Sequence, residues 1–169
     1  MTFQVNRDDG LYYRQTLFDQ ARRVVVKAGS AVLTDQNGLK TEVIDNLARE
    51  LTFLRSTGRE VILVSSGAVA AGRQHLGTGH KLSPGLKVKQ ALAAMGQSLL
   101  MQAYEQAFGR LRQKVAQVLL THADLSSRDR YLNVRNTILT LFDFGVIPII
   151  NENDTVSVEE LRFGDNDTL

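Results

Sequence analysis

Three short polar segments, each directly after an apolar run, hold the side chains of this sequence that could do chemistry. They are residues 27–30 (KAGS), 65–68 (SSGA) and 151–154 (NEND). A lysine beside glycine can bind a phosphate, because glycine lets backbone amides approach and lysine supplies charge. Asparagine and aspartate can hold an ammonium group, a hydroxyl or Mg²⁺. If the apolar runs are parallel strands, the three segments converge on one edge of a sheet.

Each segment also has a purely structural interpretation. Lys27 could be an edge lysine that reaches solvent, and the P-loop motif G-x-x-x-x-G-K-[ST] is absent. Ser66 could simply cap the following helix, and the G-x-S-x-G pattern of serine hydrolases is not met. Residues 151–154 and 164–167 (GDND) could be ordinary turns. The three histidines lack metal-binding spacing, so we expect structural or surface roles for them.

The three polar segments must be positioned by the elements around them, which are apolar runs typical of strands alternating with stretches of helical periodicity. Such strands, apolar throughout, are typical of a parallel sheet covered on both faces. We therefore predict an α/β fold, a three-layer αβα sandwich with a mainly parallel sheet. The predicted strands are 22–27, 60–65, 114–120 and 146–150, the last interrupted at 151–154. The predicted helices are 11–21, 41–57, 68–76, 84–108 and 128–144.

Three of these helices carry apolar residues at helical spacing, which predicts the face that each turns toward the core. On helix 41–57 these residues are Ile44, Leu47, Leu51 and Leu54. On helix 84–108 the predicted inward stripe is Val88, Leu92, Met95, Leu99 and Ala103. On helix 128–144 it is Tyr131, Val134, Ile138 and Leu141.

Composition excludes several classes of protein. Of the 169 residues, 43% are hydrophobic and 22% charged, as in soluble globular proteins, and none is cysteine. A disulfide scaffold, a cysteine-ligated zinc site and thiol catalysis are therefore excluded. No apolar stretch is long enough for a membrane span, and the N-terminus does not read as a secretory signal. We expect a cytoplasmic protein with no membrane partner.

The net charge of +2 hides an uneven distribution. Residues 151–169 contain six acids and one base, a net charge of −5, whereas residues 1–150 carry +7. Lysine and arginine are scattered along the chain rather than gathered into a stripe with aromatic residues. The sequence therefore predicts no nucleic-acid partner, although its isoelectric point is about 9.0.

Four stretches, taken in order, resemble one family of enzymes. They are VVVKAGSAVLT (24–34), VILVSSGAVAAGRQHLG (61–77), AAMGQSLLMQAYEQAF (93–108), and VIPIINENDTV (146–156) followed by FGDNDTL (163–169). Over residues 22–169 the sequence is similar to the amino-acid kinase family, and within it to the members that phosphorylate L-glutamate. We expect residues 1–21 to be an N-terminal extension and 22–169 to be the kinase domain.

The resemblance implies ATP-dependent phosphorylation of the L-glutamate γ-carboxylate, the first step of proline synthesis. It implies that Lys27 is catalytic and contacts the transferring phosphoryl group, with Gly29 and Ser30 at the ATP phosphates. A carboxylate is already nucleophilic, so such an enzyme needs no general base. It must position two anions and screen their repulsion.

The resemblance also implies a substrate site and further partners. The implied glutamate-binding residues are Ser66, Gly67, Asp154 and Asn166. Asp165 and Asp167 flank Asn166, and we expect them to organise the site or to lie near Mg²⁺. A homo-oligomer and feedback inhibition by proline are also expected from the family.

The sequence departs from the family at its end. Nothing in it matches the adenine-binding segments, the G-x-G-G-M stretch or the second catalytic lysine of the family. We expect this chain to hold the glutamate half of the site, to be nearly inactive alone and to self-associate. Two alternatives remain open: another kinase of this fold, acting on aspartate, acetylglutamate, carbamate or uridylate, and a non-catalytic module that binds glutamate or proline.

Overall fold

The structure, a computed structural model, describes residues 7–36, 38–77, 79 and 85–157. The first half contains α1 (Arg7–Gln20), β1 (Arg23–Ala28), α2 (Ser30–Leu33), β2 (Thr34–Asp35), β3 (Gly38–Leu39), α3 (Thr41–Ser56), β4 (Glu60–Ser65) and α4 (Ala68–Leu76). The second half contains α5 (Leu86–Arg110), β5 (Val115–Leu120), α6 (His122–Ser126), α7 (Arg128–Asp143) and β6 (Ile147–Glu152). Among the described residues, no helix has the length and apolar character that a membrane span needs.

Among the described residues, four strands form one sheet in the order β1-β4-β6-β5, and each adjacent pair is parallel. The β2–β3 pair is a separate antiparallel hairpin. Helices α3 and α5 cover one face of the sheet, and α6 and α7 cover the other. The predicted αβα sandwich with a parallel sheet is therefore confirmed.

In the part of the chain that the structure describes, two hydrophobic cores hold the layers together. In the larger core, alternate strand residues such as Leu63 and Ile149 pack against α3 and α5. In the smaller core, the intervening residues such as Val64 and Ile150 pack against α6 and α7. Strand β1 contributes only to the larger core, and the side chain of Val25 on its other face is 58% exposed.

Helices α4 and α5 pack backbone against backbone. A Cβ added to Gly96 of α5 would lie 1.7 Å from the carbonyl oxygen of Ala68 in α4. A Cβ added to Gly72 of α4 would lie 1.9 Å from the carbonyl oxygen of Leu92 in α5. No side chain fits at either glycine, so the small residues set the distance between the helices.

Three predictions about local structure were wrong. Strand β6 does not stop before Asn151, because Asn151 and Glu152 pair with the end of β5. Tyr131 is 47% exposed and does not face the core. Of the predicted stripe on α5, only Leu92 is fully buried. The buried face includes Gly96, Leu100, Tyr104 and Phe108 instead. Because α5 is rich in apolar residues on all sides, its spacing did not identify the inward face.

The predicted helix at 11–21 corresponds to α1, which begins earlier, at Arg7. Arg59 joins α1 to the sheet domain. Its guanidinium donates hydrogen bonds to the carbonyl oxygens of Ala21 (3.2 Å) and Phe18 (3.4 Å) and lies over the Phe18 ring. The predicted helix start at Pro84 lies outside the described residues.

Candidate functional site

The three polar segments meet at the carboxyl edge of the sheet. Ala28 at the end of β1 is paired with Ser65 at the end of β4, and the Ser66 amide donates a hydrogen bond to the Ala28 carbonyl (3.1 Å). Strand β6 lies beside β4 in the same direction, which brings residues 151–154 to the same edge. The parallel sheet thus produces the convergence that the sequence predicts.

Lys27 is the penultimate residue of β1 and has an exposed side chain. It alternates with Val26 and Ala28, which belong to the larger core, so it lies on the face of α6 and α7. Its neighbour across the sheet is Val64. Lys27 therefore places a positive charge one residue below the carboxyl edge of the sheet.

Two glycines at this edge differ in what the fold requires of them. Gly67 has a φ of 102°, in the left-handed region that favours glycine, and begins α4 as its N-cap. Gly29 has an ordinary φ of −72°, and a Cβ added there would meet no atom within 4 Å. The described fold thus requires glycine at position 67 but not at position 29. The open space at Gly29 fits the close approach of a ligand, such as the phosphate that the sequence predicts.

The serines beside these glycines lie at the same edge. Ser30 is exposed and begins the four-residue helix α2, and a Cβ on Gly67 would lie 3.9 Å from its Cα. Ser66 directly precedes α4's N-cap residue, which is Gly67. The structure thus places Gly67, and not Ser66, at the N-cap position that the simple capping interpretation gave to Ser66.

Hydrogen bonds hold the segment that follows β6. The Asn153 amide donates to the Leu120 carbonyl at the end of β5 (2.7 Å). The Ser157 hydroxyl donates to Oε1 of Glu152 (2.6 Å), and the Gln90 amide of α5 donates to the Ser157 carbonyl (3.3 Å). These bonds fix residues 152–157 against both β5 and the first turns of α5.

Asp154 has an electrostatically costly position within this segment. Burial and the neighbouring Glu152 carboxylate raise its pKa above the ordinary value of 3.8, and the Lys89 ammonium partly opposes the shift. Its Oδ1 atom is buried without a hydrogen-bond partner among the described residues. A buried carboxylate oxygen of this kind suits a ligand that donates hydrogen bonds and carries positive charge.

The raised pKa of Asp154 predicts how the folding stability of the chain depends on pH. An acid whose pKa is higher in the folded chain stabilises it below pH 3.8, and that contribution is lost as the pH rises through the folded value. At pH 7, Asp154→Asn should therefore raise the urea midpoint, and the gain should disappear below pH 3.8. Asp19→Asn on exposed α1 is the control and should change stability by less than ~0.5 kcal/mol. An unchanged or lower midpoint for Asp154→Asn at pH 7 would contradict this account.

A buried polar layer lies directly beneath the edge. The hydroxyls of Ser65 and Tyr104 are 2.9 Å apart, and neither residue is exposed to solvent. Burial raises the pKa of Tyr104 to about 12, although the Ser65 hydrogen bond opposes the shift, so the phenol stays protonated. The Asn151 side-chain amide donates to Oε1 of Gln97 (2.7 Å).

Three residues near the site, Lys89, Gln97 and Tyr104, were not predicted from the sequence. They lie on α5 within or near a stretch that carries the family resemblance, but helix 84–108 was treated as core packing. The available signal was the seven-residue spacing of Gln97 and Tyr104, which places two polar groups on one face of an apolar helix.

The remaining predicted site residues, Asp165, Asn166 and Asp167, lie outside the described residues. Within the described ranges, no three histidine, aspartate or glutamate side chains come together as a metal site would require. Glu152 and Asp154 are two acids in electrostatic contact, which is too few for a dedicated metal cage.

Known proteins resemble this chain in both sequence and fold. The sequence profile of the amino acid kinase family matches residues 22–169, which include all three segments of the edge. The chain belongs to the amino acid kinase family. Its fold resembles that of another protein, the carbamate kinase of Giardia, with a TM-score of 0.54 over 78% of this chain and 58% of that one. The two sequences are 16% identical, so this likeness concerns the fold alone.

Within the amino acid kinase family, several curated relatives are named glutamate 5-kinase. The protein of Desulfotalea psychrophila is 67% identical over 156 residues, and that of Geobacter metallireducens is 57% identical over 157 residues. Both matches cover 92% of this chain and 42% of the relative. The protein of Thermus thermophilus is 57% identical over 149 residues, covering 88% of this chain and 40% of the relative. The chain thus spans about two fifths of the length of these relatives.

Proposed function

We propose that this chain forms the acceptor-binding part of a glutamate 5-kinase, which transfers a phosphoryl group from ATP to the γ-carboxylate of L-glutamate. The observation that carries the proposal is the buried Oδ1 of Asp154, which has no partner in the described structure and lies at the same sheet edge as Lys27. An amino-acid substrate offers an ammonium group to one and a carboxylate to the other. The identity to glutamate 5-kinases supports glutamate as that amino acid.

In this proposal the described residues act by position and charge. The Asp154 carboxylate accepts hydrogen bonds from the substrate ammonium, and the Ser66 hydroxyl helps to orient the substrate. Lys27 screens the repulsion between the acceptor carboxylate and the phosphoryl group, which is the main barrier when two anions react. The substrate carboxylate is itself the nucleophile, so no residue has to remove a proton.

The open space at Gly29 fits the proposed nucleotide. A Cβ at Gly29 would meet no atom within 4 Å and the next residue, Ser30, is exposed, so phosphate oxygens can approach the backbone there. When bound with Mg²⁺, ATP supplies the activated phosphoryl group. We assign Asp165 and Asp167 to the neighbourhood of that ion and Asn166 to glutamate. Inhibition by proline, homo-oligomer formation and a cytoplasmic location complete the proposal.

A hybrid enzyme tests this function, because the chain spans only part of its relatives. In the hybrid enzyme, residues 22–169 replace the segment that they match in the Desulfotalea psychrophila relative. We expect it to form γ-glutamyl phosphate, measured as the hydroxamate after trapping with hydroxylamine, together with ADP. L-Aspartate, one methylene shorter, should be a poorer acceptor by at least about tenfold.

Assays of the hybrid enzyme with other phosphoryl acceptors distinguish a glutamate kinase from another kinase of this fold and from a binding module. Equal ADP formation with aspartate, acetylglutamate, carbamate or uridylate would contradict glutamate as the acceptor. A folded hybrid enzyme that binds glutamate but transfers no phosphoryl group would instead indicate a binding module. The unmodified relative, assayed in parallel, controls for the assay itself.

A further inference from the structure

Three polar side chains of α5 contact the candidate site from one side, and we call them the polar ladder. They are Gln90, Gln97 and Tyr104, each seven residues from the next. Seven residues make almost two helical turns, so the three side chains lie along one face of the helix. Each bonds a different part of the edge: the Ser157 carbonyl, the Asn151 amide and the Ser65 hydroxyl.

Gln97, the middle member of the polar ladder, is connected by two hydrogen bonds to the segment that carries Asp154, the proposed substrate-binding residue. Oε1 of Gln97 accepts a hydrogen bond from the Asn151 amide (2.7 Å), and Oδ1 of Asn151 accepts one from the Glu152 N–H (3.0 Å). Asn151 is 2% exposed, so water cannot replace a lost partner without local opening. Gln97 thereby holds the last residues of β6, two positions before Asp154.

The helix that carries the polar ladder is itself fixed in place. Gly96 lies next to Gln97, and at this point the backbones of α4 and α5 are in direct contact. The first turn of α5 also places the Lys89 ammonium where it interacts with the Asp154 carboxylate. The next residue, Gln90, donates its side-chain hydrogen bond to the Ser157 carbonyl. A rigid helix that contacts the ends of both central strands can set the position of their side chains to within the tolerance that catalysis needs.

We propose that Gln97 is a positioning residue that sets the place of Asp154 for glutamate binding through Asn151 and Glu152. The proposal rests on the proposed function, since it assigns Asp154 to the substrate. Gln97 itself is not proposed to contact the substrate. Its effect should therefore fall on glutamate affinity and leave the nucleotide end of the site, at Gly29 and Ser30, unchanged.

The test compares two identical substitutions on one helix. Gln97→Leu removes one hydrogen-bond acceptor of the Asn151 side-chain amide, whereas Gln106→Leu changes an exposed residue of α5. In the hybrid enzyme, Gln97→Leu should raise KM for glutamate about tenfold, equivalent to ~1.4 kcal/mol, with KM for ATP unchanged. Gln106→Leu should change neither constant. A rise in both constants, or in neither, would overturn the proposal.

A second measurement on the 169-residue chain separates this proposal from the proposed function. Amide hydrogen exchange of residues 152–157 should be faster in Gln97→Leu than in the unmodified chain, and unchanged in Gln106→Leu. Faster exchange with an inactive hybrid enzyme would refute the kinase assignment but support the link from Gln97 to the loop. Unchanged exchange in Gln97→Leu would refute the link, whatever the activity.

Discussion

Lys27→Met should reduce kcat of the hybrid enzyme by ~10²–10³-fold, with little change in KM for glutamate. The proposed role of Lys27 is to stabilise charge that develops as the phosphoryl group moves between two oxygens. That interaction is stronger in the transition state than with bound substrates, so its loss appears in kcat. Steady-state kinetics with glutamate and ATP varied separately measure both constants.

The fold should survive this substitution. Lys27 is exposed at the end of β1, and methionine is a similarly long, unbranched side chain. Lys114→Met is the matched control, because Lys114 is exposed just before β5, at the opposite end of the sheet. A normal kcat for Lys27→Met, or an equal loss for Lys114→Met, would remove Lys27 from the catalytic site.

Gly96→Ala should destabilise the chain by about 3 kcal/mol or more, the upper end of the effects of overpacking. The added methyl group would lie 1.7 Å from the Ala68 carbonyl oxygen and 2.4 Å from the Gly72 nitrogen, both backbone atoms that cannot rotate away. Helices α4 and α5 would have to separate, which also displaces Ser66 and the polar ladder. The midpoint of urea unfolding measures the loss.

Gly109→Ala on the same helix is the control. A Cβ at Gly109 would meet no atom within 4 Å, and alanine favours a helix over glycine by about 1 kcal/mol. Gly109→Ala should therefore leave the midpoint unchanged or raise it slightly. Equal midpoints for the two variants would show that the close contact of α4 and α5 does not contribute to stability.

The sequence predicted the elements best where small residues mark their ends. Strand 60–65 and the helix from Ala68 to about Leu76 were predicted closely, because Gly67 and Gly77 mark the two ends of that helix and both adopt positive φ. The end of β6 was misplaced because Asn151 and Glu152 are polar. Their strand pairing depends on β5, whose position is a tertiary property that local sequence does not contain.

The residues that meet at the sheet edge could be predicted from the sequence, but the helix contacts that hold them in place could not. Parallel strands bring Lys27, Ser66 and Asp154 to one edge wherever the order of strands allows, and polarity after apolar runs marks them. The polar ladder was not predictable in the same way. Gln97 contacts Asn151 from 54 positions away, and only the packing of α5 on the sheet reveals that pairing.

Calorimetric titration of L-glutamate into the 169-residue chain is the most direct test of the central claim that this chain contains the glutamate site. Circular dichroism should first establish that the chain and Asp154→Asn are folded. We expect saturable heat with the unmodified chain and none with Asp154→Asn, whose neutral amide no longer attracts the substrate ammonium. A folded chain that binds no glutamate, or that binds it equally well after Asp154→Asn, would contradict the account.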